Sequence, residues 1–165
     1  KKMHRIYTLD EYYQKVDRIK TIVPHAVLGT DIIVGFPTET DEDFQQTVDC
    51  LKRIEYGVAF IFAFSKRKGT PASRWDDNIS EAIKKERLNH LLDIQNEINY
   101  KQRQAMIGKT VEVLVEKTSR KNEDMVSGRT RCWKNAVFDG TDNDHGEILN
   151  VTVTDVKNQT LICRV

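Results

Sequence analysis

Two short stretches carry polar residues of the kinds that bind small ligands, and each follows an apolar run. The first is TDIIVGFPTET at residues 30–40, in which Gly35 and Pro37 end the apolar run and Glu39 follows. The second is SKRKGTPAS at residues 65–73, which opens with a hydroxyl and three bases. A glutamate accepts hydrogen bonds from a ribose hydroxyl or an amine, and a helix N-terminus attracts anions. Both stretches are therefore candidates for a ligand site, although a plain helix cap and a solvated basic loop are the alternatives.

A third stretch combines bases with an aromatic ring. Arg129, Arg131, Trp133 and Lys134 fall within six positions. Cations bind phosphates and an aromatic ring stacks on a base, so this combination on a small β-barrel indicates nucleic-acid binding. The alternatives are a solvated hairpin and a Trp133 buried in the core. The six bases of residues 117–134, which outnumber two acids, are Lys117, Arg120, Lys121, Arg129, Arg131 and Lys134.

Cysteine and histidine spacing gives no sign of a metal site. Cys50, Cys132 and Cys163 are far apart, with neither a CxxC nor a zinc-ligand spacing, and Cys50 and Cys163 have apolar neighbours typical of buried thiols. An odd cysteine count fits a reducing, cytoplasmic compartment. No apolar run approaches the roughly 20 residues that span a bilayer, and the first residues lack the apolar segment of a signal peptide. Four scattered histidines are expected on the surface: His4, His25, His90 and His145.

The elements that position these stretches follow from caps and periodicity. A capping box at residues 8–11 predicts a helix that Pro24 ends, and Thr40 is the predicted N-cap of a second helix that ends at Gly57. Between and after them, residues 26–36 and 58–64 are apolar runs typical of parallel strands covered on both faces. A helix–strand–helix–strand order indicates a parallel sheet. Ligands bind at the carboxyl ends of such strands, where the first two stretches should lie side by side.

The second half of the chain changes period. A long helix is predicted from about residue 78 to residue 106, with a C-cap signal at Gly108 and an inner face of Leu88, Leu91, Leu92, Ile94, Gln95 and Ile98. Alternating apolar residues and turn signals then predict five short strands in an antiparallel barrel of the OB type. The fold class is α/β followed by all-β, with a partial parallel (β/α) barrel at residues 1–106, a long linking helix and the small barrel at residues 107–165. Two strands leave a sheet edge exposed, so we expect further strands before Lys1 or a partner to cover it.

Several motifs resemble one enzyme family in order and spacing. They are MHRIYTLDEYYQKV, TDIIVGFPTETDEDFQQT, AFIFAFSKRKGTPAS, KKERLNHLLDIQNEI and GKTVEVLVE followed by GRT. Together they cover nearly the whole chain and closely resemble the radical S-adenosylmethionine (SAM) methylthiotransferases, in the tRNA branch typified by MiaB. GRT favours that branch over the branch that acts on a ribosomal protein.

The resemblance implies a three-part protein of which this chain is the C-terminal fragment. The family has an N-terminal domain with an auxiliary iron–sulfur cluster, a radical SAM barrel, and a TRAM domain that grips RNA. It implies SAM and two [4Fe–4S] clusters in the full-length enzyme, together with a reducing partner such as flavodoxin. The CxxxCxxC motif of the family and the three auxiliary cysteines are absent from these residues. We therefore expect no bound cofactor and no catalysis from this chain alone.

The reaction implied is radical transfer of a methylthio group to C2 of N6-isopentenyladenosine beside the tRNA anticodon. The resemblance places Arg5, Asp31, Gly35, Pro37 and Glu39 near SAM, with Arg5 on the SAM carboxylate because a guanidinium pairs bidentately with carboxylates. Arg129, Arg131, Trp133 and Lys134 are the expected RNA contacts. The alternatives are an RNA-binding module without catalysis, or the same chemistry on threonylcarbamoyladenosine in tRNA or on a ribosomal protein.

Two departures from the family pattern fall in the ligand stretches. Thr38 stands where the family has a glycine, so a turn that glycine tolerates should be restricted here. Lys68 stands where the family has a proline, which removes a backbone restraint and adds a charge. Neither change excludes the family.

Overall fold

The computed structural model describes residues 2–3, 5–119 and 122–165. His4, Arg120 and Lys121, which the sequence analysis named, lie outside the described residues. The first half contains helices α1 (Leu9–Ile22) and α2 (Asp41–Ile54) and strands β1 (Gly29–Val34) and β2 (Val58–Ala63). No helix in the described part of the chain is long and apolar enough to cross a membrane.

The N-terminal ends of α1 and α2 are fixed by their sequences. Thr8 caps α1 and Thr40 caps α2, each in a capping box with the acidic residue three positions later. The C-terminal end of α2 differs from the prediction, because the helix ends at Ile54 and Glu55 adopts the left-handed conformation (φ +54°). Gly57 serves packing instead, since a Cβ there would lie 2.2 Å from the Val27 side chain.

Strands β1 and β2 form a two-stranded parallel sheet with one covered and one open face. Ile32 and Val34 of β1 pair with Ile61 and Ala63 of β2 on the face that packs against the helices. On the opposite face Ile33, Phe60 and Phe62 are 41%, 56% and 53% exposed. The prediction that both faces of these strands are covered is therefore wrong for this chain. The core of this half is formed by Val16, Val34, Val48, Leu51, Ile54, Tyr56, Ile61, Leu91, Ile94 and Ile98.

Helix α3 (Glu81–Gln104) connects the two halves and is about 36 Å long at 1.5 Å per residue. Ser80 is its N-cap. Leu92, predicted on the inner face, is exposed, whereas the buried face extends to two bases that were not predicted there, Lys84 and Arg87. A turn with Gly108 at φ +82° then leads into the barrel, where the Gly108 N–H donates to the Val153 carbonyl at 2.8 Å.

The second half is a closed five-stranded barrel, which confirms the predicted fold class. Its strand order is β3-β4-β5-β7-β6. The β5–β7 pair is parallel and every other pair is antiparallel, so the barrel is mixed rather than wholly antiparallel. Phe138 and the valines of alternating positions fill the interior. The strands are β3 (Thr110–Ser119), β4 (Asn122–Thr130), β5 (Asn135–Asp139), β6 (Ile148–Lys157) and β7 (Thr160–Arg164).

Candidate functional site

The turn after β1 is held by the carboxylate of Glu39. One oxygen of Glu39 accepts from the Gly35 N–H at 2.7 Å and from the Arg87 guanidinium at 2.5 Å. The Glu39 side chain is only 10% exposed. With this oxygen Glu39 braces the turn from inside the protein, and the expectation that Glu39 also accepts from a ligand stays a prediction.

Arg87 and Lys84 are site residues that the sequence analysis missed. Arg87 also donates to Asp41 at 2.6 Å, and its hydrogen bonds to Asp41 and Glu39 outweigh the effect of burial, so its pKa is raised. A signal was present, since positions 84, 87, 91, 94 and 98 share helical spacing on the buried face of α3. The usual preference of bases for the surface concealed it.

The side chain of Lys84 lies directly behind the turn, with its Cγ nearest to Gly35. It donates to Asp77 and Glu81, both at 2.7 Å, and the side chain is almost wholly buried. Burial alone would lower the pKa of Lys84, but these hydrogen bonds raise it, while the Lys84 contact lowers the pKa of Asp77. A Cβ on Gly35 would lie 2.4 Å from Lys84 Cγ, and Gly35 has φ +68°. Only glycine fits here without a shift of the lysine.

The two strand ends meet as the βαβ pattern predicts. The Phe64 N–H donates to the Val34 carbonyl at 2.8 Å. Phe36 packs edge-on against Phe64 and Trp75, with ring centroids 5.2 and 5.5 Å apart. A recess of about 380 Å³ opens beside them, on the open face of the sheet. Its lining includes Asp31, Ile33, Phe62, Ser65, Arg67 and Thr70.

A larger cavity of about 560 Å³ follows the free edge of β1. Arg5 and Asp31 line it together, with Tyr12 and Thr47 on the helical side. Lys2 donates to the Thr38 hydroxyl at 2.7 Å, so the N-terminal segment reaches the same end of the sheet as the turn. Of the five residues expected near SAM, Arg5 and Asp31 face open space. Gly35, Pro37 and Glu39 form the turn behind it.

One outer surface of the barrel brings together three of the four residues expected to contact RNA. We call it the stacking face, and it comprises Glu112, Leu114, Glu116, Arg129, Arg131, Trp133 and Ile148, which line a recess of about 270 Å³. The Arg129 guanidinium lies 4.4 Å from the centroid of the Trp133 ring. Trp133 is 61% exposed, which rules out the alternative that it belongs to the core.

Each arginine of the stacking face has a glutamate partner. Arg129 lies 3.5 Å from Glu116, and Arg131 forms an ion pair with Glu112. The hydrogen bond from Arg131 lowers the pKa of Glu112 and raises that of Arg131. The four side chains sum to no net charge, so the surface is less basic than the sequence suggests.

Lys134 lies apart from the other three. Its side chain is 4% exposed and donates to Gln102 at 3.0 Å and to the Gly57 carbonyl at 3.5 Å, at the joint between the two halves. Burial and the nearby Arg103 lower its pKa. The prediction that Lys134 contacts RNA is therefore corrected, because its ammonium group is not accessible to a phosphate and instead fixes the barrel to the first half.

Of the two cysteines expected to be buried, Cys50 is only half-buried. Cys163 is buried, and burial raises the pKa of its thiol to about 11. His25, His90 and His145 are exposed. Within residues 2–3, 5–119 and 122–165, no group of three or more histidine, cysteine or acidic side chains is placed to hold a metal ion.

Comparison with known proteins matches one half of the chain to a domain family and nearly the whole chain to named enzymes. Residues 104–165 match the TRAM domain. The chain is 55% identical over 162 residues to a tRNA-2-methylthio-N(6)-dimethylallyladenosine synthase of Protochlamydia amoebophila, covering 98% of this chain and 36% of that protein. Synthases with the same name from Desulfitobacterium hafniense and Fusobacterium nucleatum are 45% and 42% identical, covering 99% and 98% of this chain and 37% of each protein.

The matches cover nearly all of this chain but only part of each relative. The chain spans about a third of the length of the curated relatives it matches. The similarity covers both halves and the joint between them, so it does not depend on the TRAM domain alone. Nearly the whole chain is similar to a segment of these methylthio synthases, and its second half matches the TRAM domain.

Proposed function

We propose that this chain is part of a tRNA methylthiotransferase that adds a methylthio group to C2 of N6-isopentenyladenosine beside the anticodon. The observation that carries the proposal is 55% identity to a synthase of that description along 98% of the chain. The TRAM match and the exposed Arg129–Trp133 pair support tRNA as the partner. We further propose residues 1–106 and 107–165 as the two domains.

The residues present fit SAM in part. Arg5 and Asp31 line the same cavity, where the Arg5 guanidinium suits the SAM carboxylate, and Ile33 and Phe62 offer an apolar surface to an adenine ring beside it. In this family SAM supplies the radical chemistry when bound. The role of Glu39 and Arg87 is to hold the turn that shapes this edge, so their contribution is positional.

The iron–sulfur clusters do not fit the described residues. Cluster ligation requires grouped thiolates. The described part of the chain has three separate cysteines, one of them buried with a raised pKa. We therefore assign both [4Fe–4S] clusters, and contact with a reducing partner such as flavodoxin, to the longer protein. The 165-residue chain by itself is expected to bind tRNA without modifying it.

Nucleoside analysis tests the proposal. Deletion of the gene should remove the methylthio group from N6-isopentenyladenosine in tRNA, as measured by mass spectrometry of digested tRNA. The gene carrying Arg5→Ala should fail to restore it, whereas the gene carrying Arg18→Ala, an exposed base on α1, should restore it. If the deletion instead removed the methylthio group from threonylcarbamoyladenosine or from a ribosomal protein, the enzyme would belong to another branch of the family.

A binding module without catalysis is the second candidate, favoured by the exposed Arg129–Trp133 pair on the closed barrel. It predicts that the deletion strain keeps every methylthio modification while the purified chain still binds tRNA. Loss of the methylthio modification in the deletion strain would eliminate this second candidate.

A further inference from the structure

The floor of the stacking face is apolar. In the barrel register Leu114 of β3 pairs with Arg129 of β4 on one side and with Ile148 of β6 on the other. Leu114 and Ile148 are 43% and 59% exposed, beside the 61% exposed Trp133. A phosphate gains nothing from an apolar floor. A planar base ring that lies on an apolar floor is removed from water, which is favourable.

Trp133 is the last residue of the tight loop between β4 and β5, which the Thr130 N–H closes by donating to the Lys134 carbonyl at 2.9 Å. Trp133 has φ +64°, a region that bulky residues rarely adopt. Its N–H donates to the Thr130 carbonyl at 2.9 Å, and the next residue, Lys134, is anchored at the joint. This φ is the one that a three-residue hairpin loop requires at its last residue, and the loop presents an aromatic ring that is 61% exposed beside the Arg129 guanidinium.

The charges of the stacking face oppose non-specific binding. A phosphate that approaches Arg129 or Arg131 competes with Glu116 or Glu112 for the same guanidinium. Sequence-independent binding of a duplex depends on free cations that release counterions. The stacking face therefore favours a ligand that contributes ring stacking as well as charge.

We propose that the stacking face binds an unpaired nucleobase of RNA. The base stacks on the Trp133 ring above Leu114, and Glu112 and Glu116 hold the two arginines beside it while lowering affinity for duplex backbone. This inference rests on the proposed RNA-binding function and adds the class of nucleotide that the barrel selects.

The test compares two RNAs of equal length, one single-stranded and one fully duplex, by fluorescence anisotropy with the 165-residue chain. Trp133→Gly should weaken single-strand binding about fivefold or more, the lower bound for one base–aromatic stack, and change duplex binding by less than twofold. Glycine relieves the strain at φ +64°, so the variant should keep or raise the melting temperature. Tyr100→Ala, which removes a 60% exposed ring from α3, is the matched control and should leave both affinities unchanged.

A second variant tests the glutamates. Glu112→Gln combined with Glu116→Gln should tighten duplex binding, steepen its salt dependence and narrow the preference for single strands. Equal effects of Trp133→Gly on the two RNAs, or no effect, would overturn the nucleobase inference while leaving RNA binding in place. No binding of either RNA by the wild-type chain would overturn both.

Discussion

The two halves of this chain treat apolar and charged side chains in opposite ways. The barrel buries Phe138 completely, closes its strands on themselves and displays Arg129 and Arg131 outside. The first half leaves Phe60 on an open sheet face and buries Arg87 instead. A closed barrel has no free edge, so its polar residues are available for a ligand. In the open half, charged residues are used to hold the end of an incomplete sheet.

The largest contrast is between two phenylalanines. Phe138→Ala should lower the free energy of unfolding by about 3–5 kcal/mol, because it leaves a cavity in a closed core. Phe60→Ala should change it by less than about 0.5 kcal/mol in this chain. Chemical denaturation measures both, and hydrogen exchange shows which half opens. A large loss from Phe60→Ala would mean that the open face is covered in solution, for example by a second copy.

The next largest effect concerns the buried arginine. Arg87→Ala should cost about 3 kcal/mol, since it leaves Glu39 buried without its partner. Its control is Arg53→Ala, which removes an exposed ion pair with Asp17 and should cost less than about 1 kcal/mol. Similar losses for the two variants would show that the Glu39 turn is more solvated than its 10% exposure indicates.

Backbone strain gives a smaller effect of opposite sign at two turns. Thr38 has φ +75°, so Thr38→Gly should stabilise the chain by about 1 kcal/mol. Gly69 has φ +91°, and a Cβ added there would meet no described atom within 4 Å, so Gly69→Ala should destabilise the chain by a similar amount through strain alone. Thermal unfolding measures both shifts. Destabilisation by Thr38→Gly would mean that the hydroxyl contact with Lys2 outweighs the strain.

The pH dependence of stability should be the smallest of these effects. The pKa of Asp77 is lowered in the folded chain by its hydrogen bond to Lys84, so its contribution is complete above the unfolded value near 3.9 and is lost as the pH falls. The pKa of Lys84 is raised, so its contribution is lost only as the pH rises above about 10.4. Asp77→Asn should lower the free energy of unfolding at neutral pH and make it depend less on pH in the acid range. If the loss of stability at low pH were unchanged in this variant, other carboxylates would be responsible for that loss.

Local signals predicted much of the fold and less of the site. The caps at Thr8 and Thr40 and the alternation in β3 fix their elements through short-range hydrogen bonds and side-chain direction, which a sequence displays directly. The resemblance anticipated the restricted turn at Thr38. The partners of the buried Lys84 and Lys134 include Asp77 and Gly57, which lie 7 and 77 positions away, so neither lysine could be distinguished from a surface base. The open sheet face was missed because an apolar run looks the same whether or not neighbouring strands are present.

Helix α3 sets the distance between the two candidate sites. Arg87 near its start holds the turn beside the β1 cavity, and Gln102 near its end binds Lys134 beneath the stacking face. These residues are about 22 Å apart along the helix axis. The length of α3 thus fixes the separation between the turn beside the β1 cavity and the base of the stacking face. A change in the length of α3 would therefore move the two sites apart or together without altering either one.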